Sequence, residues 1–275
     1  MARLRNGTGN MKRNYIFKTL PLAIAAVCLL GNIPVYAAGK TLTVGVRGDI
    51  MNFGYYNKTT GKFYGMEIDL ANKLAEELGY SDVEFVEVEP DTRKDMLLNG
   101  EVDCLIAAYS ISDSRLENFD FSPAYYTDDT KIMVEKSSMF TDVQDLKDKT
   151  VGILSGSNAG PVLAEKLTEL GMISEIEDSE DDVYTQYDGI RIVQLDSYDE
   201  VSEALEEGTI DAACMDGMIA NVYKNDDREY LSLDIYEQNY GVATQKDSEL
   251  SASMSEAVQK LLDDGTIDEL IDKWD

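Results

Sequence analysis

Residues 106–117 read IAAYSISDSRLE. A small apolar run, Ile106-Ala107-Ala108, leads into Tyr109, then into serines at 110, 112 and 114, and then into Arg115. An arginine just beyond a buried strand and among hydroxyl groups suits the binding of a carboxylate. Its guanidinium fork makes two parallel hydrogen bonds, each worth about 1.5–3 kcal/mol because the partners are charged. The expectation is that Arg115 holds the carboxylate of a small-molecule ligand; the plainer alternative is a surface ion pair. Beyond residue 37 there are four other arginines, Arg47, Arg93, Arg191 and Arg228.

Those few arginines sit in an acidic chain. Twenty-four Lys and Arg face 53 Asp and Glu, a net charge of −29, and there is no histidine. This charge argues against nucleic acid, whose phosphates need basic patches, and against an anionic membrane surface. Without imidazole there is no Ser-His triad and no His-ligated zinc. No Asp-x-Asp-x-Asp-Gly calcium loop occurs, so no metal or organic cofactor is expected. The hydrophobic fraction of 44% is ample for a core.

Residues 1–37 differ from the rest, with five basic residues and no acidic one. From Thr19 the chain turns apolar, TLPLAIAAVCLLGNIPVYA, and ends in a small-x-small site at Val35-Tyr36-Ala37. This is the order of a secretory signal peptide cleaved after Ala37, with Met11 as an alternative start. Asn32 and Pro34 interrupt the run, which argues against a membrane anchor. Val27 before Cys28 and two leucines after it argue against lipidation. Without the signal the net charge becomes −34. Cys104 and Cys214 lie in apolar runs of different halves and are expected as buried free thiols in separate cores.

The remaining elements have to position Arg115. NGEVDCLIAAY (99–109) and EGTIDAACMDG (207–217) repeat Gly-x-(Ile/Val)-Asp after a helical stretch, and DGTIDELID (264–272) is a third copy. In the first two the glycine ends a helix and a buried strand follows, VDCLIAAY or IDAACM. TLTVGV, VEFVEVE, TVGIL and IRIVQL read as further strands. Helices are expected at 67–79 (closed by Gly79), 92–100, about 160–170 and 197–208, the last with a Ser197–Glu200 capping box. Two tail helices follow, the second capped by Thr266 and Glu269. EDSEDD (177–182) reads as a solvated loop. The alternation implies an α/β protein of two lobes around a cleft, crossed near KIMVEK (131–136) and YGVATQK (240–246).

Taken together, VGVRGDIMNFGYYNKTTGKFYGMEIDLANKLAEELG, TRKDMLLNGEVDCLIAAYSISDSRLENFDFSPAYY, VGILSGSNAG and IDAACMDG resemble the polar amino-acid solute-binding proteins of ABC importers. The resemblance covers nearly all of residues 41–275 and is closest in motif to the aspartate/glutamate-binding branch. It implies a type II periplasmic-binding-protein-like fold with two hinge crossings. The expected division is a signal at 1–37, one lobe from 38–128 and 239–275, and another from 129–238. By this resemblance Arg115 clamps the ligand α-carboxylate and Ser110 shares its α-amino or carboxylate group. Asp216 pairs with the α-ammonium, its alternative being a helix cap. Gly156, Ser157, Asn158 and Ala159 form a helix-start loop whose N–H groups face the carboxylate. Phe53, Tyr55 and Tyr109 are candidates for an aromatic wall.

Arg93 and Arg47 resemble basic positions of the acidic branch that meet a side-chain carboxylate. A chain near −34 repels such a ligand unless local positive charge reverses the field. Ala108 departs from the branch, where a residue hydrogen-bonds the ligand side chain, and Asn52 stands where many relatives have proline. Glutamine or another neutral polar amino acid is therefore the rival ligand. The rival classes are a cyclohexadienyl-dehydratase-like enzyme on the same fold and a sensor module. The resemblance implies export to the periplasm or cell surface and a membrane permease as partner. A monomer that binds no nucleic acid and does no covalent chemistry is the expectation.

Overall fold

The computed structural model describes residues 39–174, 176–178, 184–187, 189–233 and 235–275. The expected signal segment with Cys28, and most of EDSEDD, lie outside the described residues. No helix among those described is long and apolar enough to cross a membrane.

Two sheets form the cores of two lobes. The five-stranded sheet runs Asp82–Glu87, Thr41–Val46, Cys104–Leu105, Ala243–Gln245, Phe119–Phe121 in space. Its first three strands run parallel, Ala243–Gln245 runs against them, and Phe119–Phe121 pairs antiparallel with Ala243–Gln245. The eight-stranded sheet runs Ile176–Asp178, Tyr184–Tyr187, Ile190–Leu195, Thr150–Leu154, Ala212–Asp216, Tyr126–Glu135, Arg228–Tyr230, and Ile235–Tyr240 also pairs with Tyr126–Glu135. The chain passes from the first sheet to the second between Phe121 and Tyr126. It returns between Tyr240 and Ala243. All of KIMVEK but Lys136 therefore lies within the long strand that starts at the first crossing.

Local chemistry explains the helices. In Met66–Leu78, residues Leu70, Ala71, Leu74 and Leu78 recur at helical spacing and are buried against the five-stranded sheet. Gly79 stops that helix at φ 78°, and its N–H and the next close back onto Glu76 and Ala75. The helix Tyr198–Glu207 begins at Ser197, whose hydroxyl accepts from the Glu200 amide at 3.1 Å. The Glu200 carboxylate reaches the Asp196 amide at 3.2 Å, one residue before the position a capping box requires. The last helix, Thr266–Trp274, has Gly265 as its cap at φ 82° and no side-chain cap. Thr266 and Glu269 therefore do not cap it, because Thr266 already belongs to the first turn.

Cys104 belongs to the buried cluster that holds Leu42, Val44 and Leu70, whereas Cys214 belongs to a separate one with Ile132, Ile153 and Leu163. Both are buried free thiols. One strand departs from expectation: of VDCLIAAY, only Cys104–Leu105 pairs as a strand. The next residues leave the ladder because side chains capture their backbone.

Candidate functional site

Tyr109 lies at the end of that irregular segment and is buried. The guanidinium carbon of Arg115 is 4.1 Å from its ring centroid, and that of Arg93 is 4.5 Å away. Both distances are within cation–π range, so one phenol ring steadies two cations. Phe119 and Phe121 pack on the same ring at 6.1 and 5.6 Å. Arg115 is half-buried and donates from Nη1 to the Ser110 carbonyl at 2.8 Å. This bond and the ring orient the guanidinium.

Arg93 starts the short helix Arg93–Leu98 and is 3% exposed. Its Nη1 donates to the Ala107 carbonyl at 2.6 Å, and its Nε has no hydrogen-bond partner among the described residues. Burial, then the nearby Arg115 and Arg47 cations, hold its pKa down at about 9. The amide of the same Ala107–Ala108 peptide donates to Oε1 of Glu67 at 2.7 Å. Ala108 adopts φ 45°, a left-handed conformation that L-residues seldom take. Two buried side chains thus hold this peptide out of the sheet.

Arg47 is buried and already has an ion-pair partner. Its Nε donates to Asp49 Oδ1 at 2.8 Å and its Nη2 to Oδ2, a two-pronged ion pair. Its guanidinium also lies 5.9 Å from the ring of Tyr198, which belongs to the other lobe. Burial pulls Arg47 down, but Asp49 and Tyr198 more than offset this and leave it above the usual arginine value. Arg47 therefore contributes to the field of the pocket with its fork already occupied.

The second lobe supplies the acid. Asp216 ends the strand Ala212–Asp216, but its carboxylate does not cap the following helix. Instead Oδ2 accepts from the Tyr240 hydroxyl at 2.6 Å and Oδ1 from the Gln238 amide at 2.5 Å. Burial raises its pKa, opposed by Tyr240 and by the charges of Arg93, Arg115 and Arg47. The other end of Gln238 accepts from Ser110 Oγ at 2.7 Å and from Asn158 Nδ2 at 3.1 Å. Ser110, Asn158 and Asp216 are thus brought together through one carboxamide.

Gly156, at φ 67°, comes against the backbone of Pro90 and Asp91 across the cleft. Ser157 and Ala159 find partners within the loop, the former donating to Leu154 O and the latter to Ser157 Oγ. Phe53 packs edge-on against Tyr126 and Tyr240 at 4.8 and 6.5 Å. Tyr55 sits in the strand Gly54–Asn57, paired with Asp49 and Tyr64. A cavity of about 280 Å3 opens beside Arg115 and Tyr109, with Asp91, Lys94 and Gly156 on its wall. A larger one, about 330 Å3, lies by Phe53, Tyr126, Asp128 and Trp274 and holds no arginine. The chemistry favours the smaller.

Glu67, Gln238 and Tyr240 escaped the sequence reading. For Glu67 a signal existed, because it stands three, four and seven residues before Leu70, Ala71 and Leu74, on the apolar stripe of its helix. Gln238 and Tyr240 alternate with solvent-facing residues in an ordinary strand, and nothing local marks them. Among the described residues no cluster of three or more acidic, cysteine or histidine side chains could hold a metal.

Two α/β lobes, the first carrying Arg47, Arg93 and Arg115 and the second Asp216, have the architecture of solute-binding proteins. The chain belongs to the bacterial extracellular solute-binding proteins, family 3, which it matches over residues 42–275. It is 27% identical to the ABC transporter glutamine-binding protein GlnH of Bacillus subtilis over 239 residues, 85% of this chain and 80% of that protein. It is 24% identical to the glutamate-binding protein GluB of Corynebacterium efficiens over 285 residues, 93% of this chain and 90% of that one. Among solved structures, an ancestral arginine-binding protein bound to arginine superposes with a TM-score of 0.71 at 28% identity, over 85% of this chain and 97% of that one. These relatives are binding proteins, and the chain is a binding protein rather than an enzyme.

Proposed function

We propose that the cleft takes an amino acid with an acidic side chain, glutamate or aspartate, and delivers it to the membrane permease of an ABC importer. In this reading Arg115 receives the α-carboxylate, Asp216 and Ser110 receive the α-ammonium, and Arg93 meets the side-chain carboxylate. Tyr109 forms the wall of the cavity beside Arg115, whereas Phe53 lines the other cavity, and the loop Gly156–Ala159 closes over the ligand. The observation that carries the charge preference is Arg93, a buried cation that makes no ion pair among the described residues. A buried charge without a partner is costly, and a ligand carboxylate would supply that partner. Ligand contacts to both lobes favour the closed form and shift the population towards it. Export across the cytoplasmic membrane and a monomeric state belong to the same reading.

A neutral ligand such as glutamine is the second reading. Arg47 is already paired with Asp49, Glu67 lies in the field of Arg93, and a glutamine-binding protein is among the relatives. A thermal-shift screen of residues 38–275 against the twenty amino acids and prephenate tests both. A ligand at about a hundred times its dissociation constant adds about 2.7 kcal/mol, a visible rise in Tm. A shift with glutamate or aspartate supports the acidic reading, and a shift with glutamine alone replaces it. A shift with prephenate alone would overturn amino-acid binding.

A further inference from the structure

Glu67 points into the core from the buried side of its helix and is 0% exposed. Oε1 accepts from the Ala108 amide at 2.7 Å and from the Tyr125 hydroxyl at 2.5 Å. Oε2 has no hydrogen-bond partner among the described residues, and the same holds for Nε of Arg93. The two side chains grip one peptide from its two ends, Arg93 on the Ala107 carbonyl and Glu67 on the Ala108 amide. The groups that face Glu67 are the Tyr125 phenol, this amide, and the Arg47 and Arg93 cations. Asp49 already answers Arg47. Arg47 acts on Glu67 more strongly than Arg93 does, but it is already paired, so Arg93 is the cation of the two that lacks an ion-pair partner among the described residues.

We infer that Glu67 sets the ligand charge the pocket accepts, acting as counter-ion to Arg93 when the ligand side chain is neutral and taking up a proton when it is acidic. This rests on the acidic-ligand reading above. Two carboxylates around one buried guanidinium repel each other, so the entry of the second favours protonation of the first. The proton comes from solvent and resides on Glu67 while the ligand stays anionic. Tyr125 and the Ala108 amide both donate to Oε1, which leaves Oε2 to carry it. Burial already biases Glu67 towards the neutral form. Glu67 is in this sense a positioning and specificity residue that acts through Arg93.

By linkage, affinity for glutamate then falls by up to about tenfold per pH unit above the pKa of Glu67 in the free protein. Glutamate itself changes charge little between about pH 5.5 and 8.5, since its side chain titrates near 4.3. The test is isothermal titration of the wild type and Glu67→Gln with glutamate and with glutamine across that range, in two buffers of different ionisation enthalpy. The amide of Glu67→Gln keeps an acceptor for Ala108 and removes the titration. The expected result is uptake of close to one proton per glutamate above the Glu67 pKa and none per glutamine. In Glu67→Gln uptake vanishes, and the glutamate affinity becomes flat with pH. No proton uptake by the wild type, with an unchanged glutamate-to-glutamine ratio in Glu67→Gln, would overturn the inference. A wild type that takes only glutamine, with a Glu67→Gln variant shifted at least tenfold towards glutamate, would keep the role of Glu67 and remove the acidic reading. Should the variant fail to fold, the wild-type proton count decides alone.

Discussion

A Cβ added to Gly156 would stand 2.6 Å from the carbonyl carbon of Pro90, closer than any side chain tolerates. Pro90 precedes the helix of Arg93, and Gly156 precedes the helix that starts at Ala159, so this approach joins the two lobes over the cavity beside Arg115. Glycine is required twice here, for the close approach and for φ 67°.

Gly156→Ala should therefore impair closure more than folding. The left-handed backbone costs alanine about 1–2 kcal/mol, and the clash adds to this only when the lobes are together. We expect ligand affinity to fall at least about tenfold, with a small-angle scattering radius that no longer contracts on ligand addition. Unchanged affinity would show that this contact does not limit closure.

Arg115→Ala removes the proposed carboxylate clamp. Two charged hydrogen bonds of about 1.5–3 kcal/mol each imply a loss of about a hundredfold or more for every amino acid bound. Arg115→Lys should restore only part of it, since an ammonium lacks the planar fork. Micromolar affinity in the alanine variant would remove Arg115 from the site.

Arg93 separates the two ligand readings. Arg93→Met keeps most of the side-chain volume while removing the charge and the bond to Ala107 O. Loss of that bond affects glutamate and glutamine alike. Loss of the charge should weaken glutamate by at least about tenfold more than glutamine. Calorimetric titration with each ligand reads the difference, and equal losses would mean that Arg93 only supports the backbone.

Three buried carboxylates, Asp128, Glu67 and Asp216, give a pH dependence with a definite sign. Burial, and then the charge of Asp216, raise the Asp128 pKa to about 6, although the Met218 amide bonded to it opposes this. Glu67 and Asp216 are also raised by burial. A carboxyl raised above its unfolded value, about 3.9–4.3, binds its proton more tightly when folded. The stability it contributes is therefore gained as pH falls through the folded pKa, and is lost above it. Melting temperature should rise as pH falls from about 7 to about 5, through the folded pKa of Asp128, and Asp128→Asn should flatten part of that rise. A wild-type Tm that falls steadily over this window would contradict the assignment.

Much of the fold was legible because its signals are local. The helix Met66–Leu78 announces itself through an apolar repeat of three and four residues and a terminal glycine, and the strands Thr41–Val46, Thr150–Leu154 and Ile190–Leu195 through their apolar runs. The end of VDCLIAAY as a strand was not legible, because the groups that pull the Ala107–Ala108 peptide away lie at 93 and 67. Arg115 could be singled out by its rarity in an acidic chain. That Arg47 is occupied depends on Asp49, two residues on, and on a rotamer that residue spacing does not specify.

The sequence by itself determined the succession of strands and helices, the identity of the scarce cations and the two-lobed class, since these follow from short-range periodicity and composition. Only the tertiary structure decided which groups meet. Gln238 joins Ser110, Asn158 and Asp216 across separations of 128, 80 and 22 residues. Glu67 reaches Ala108 across 41. Such meetings depend on closing long loops and packing two sheets against one another, and no window of neighbouring residues encodes them.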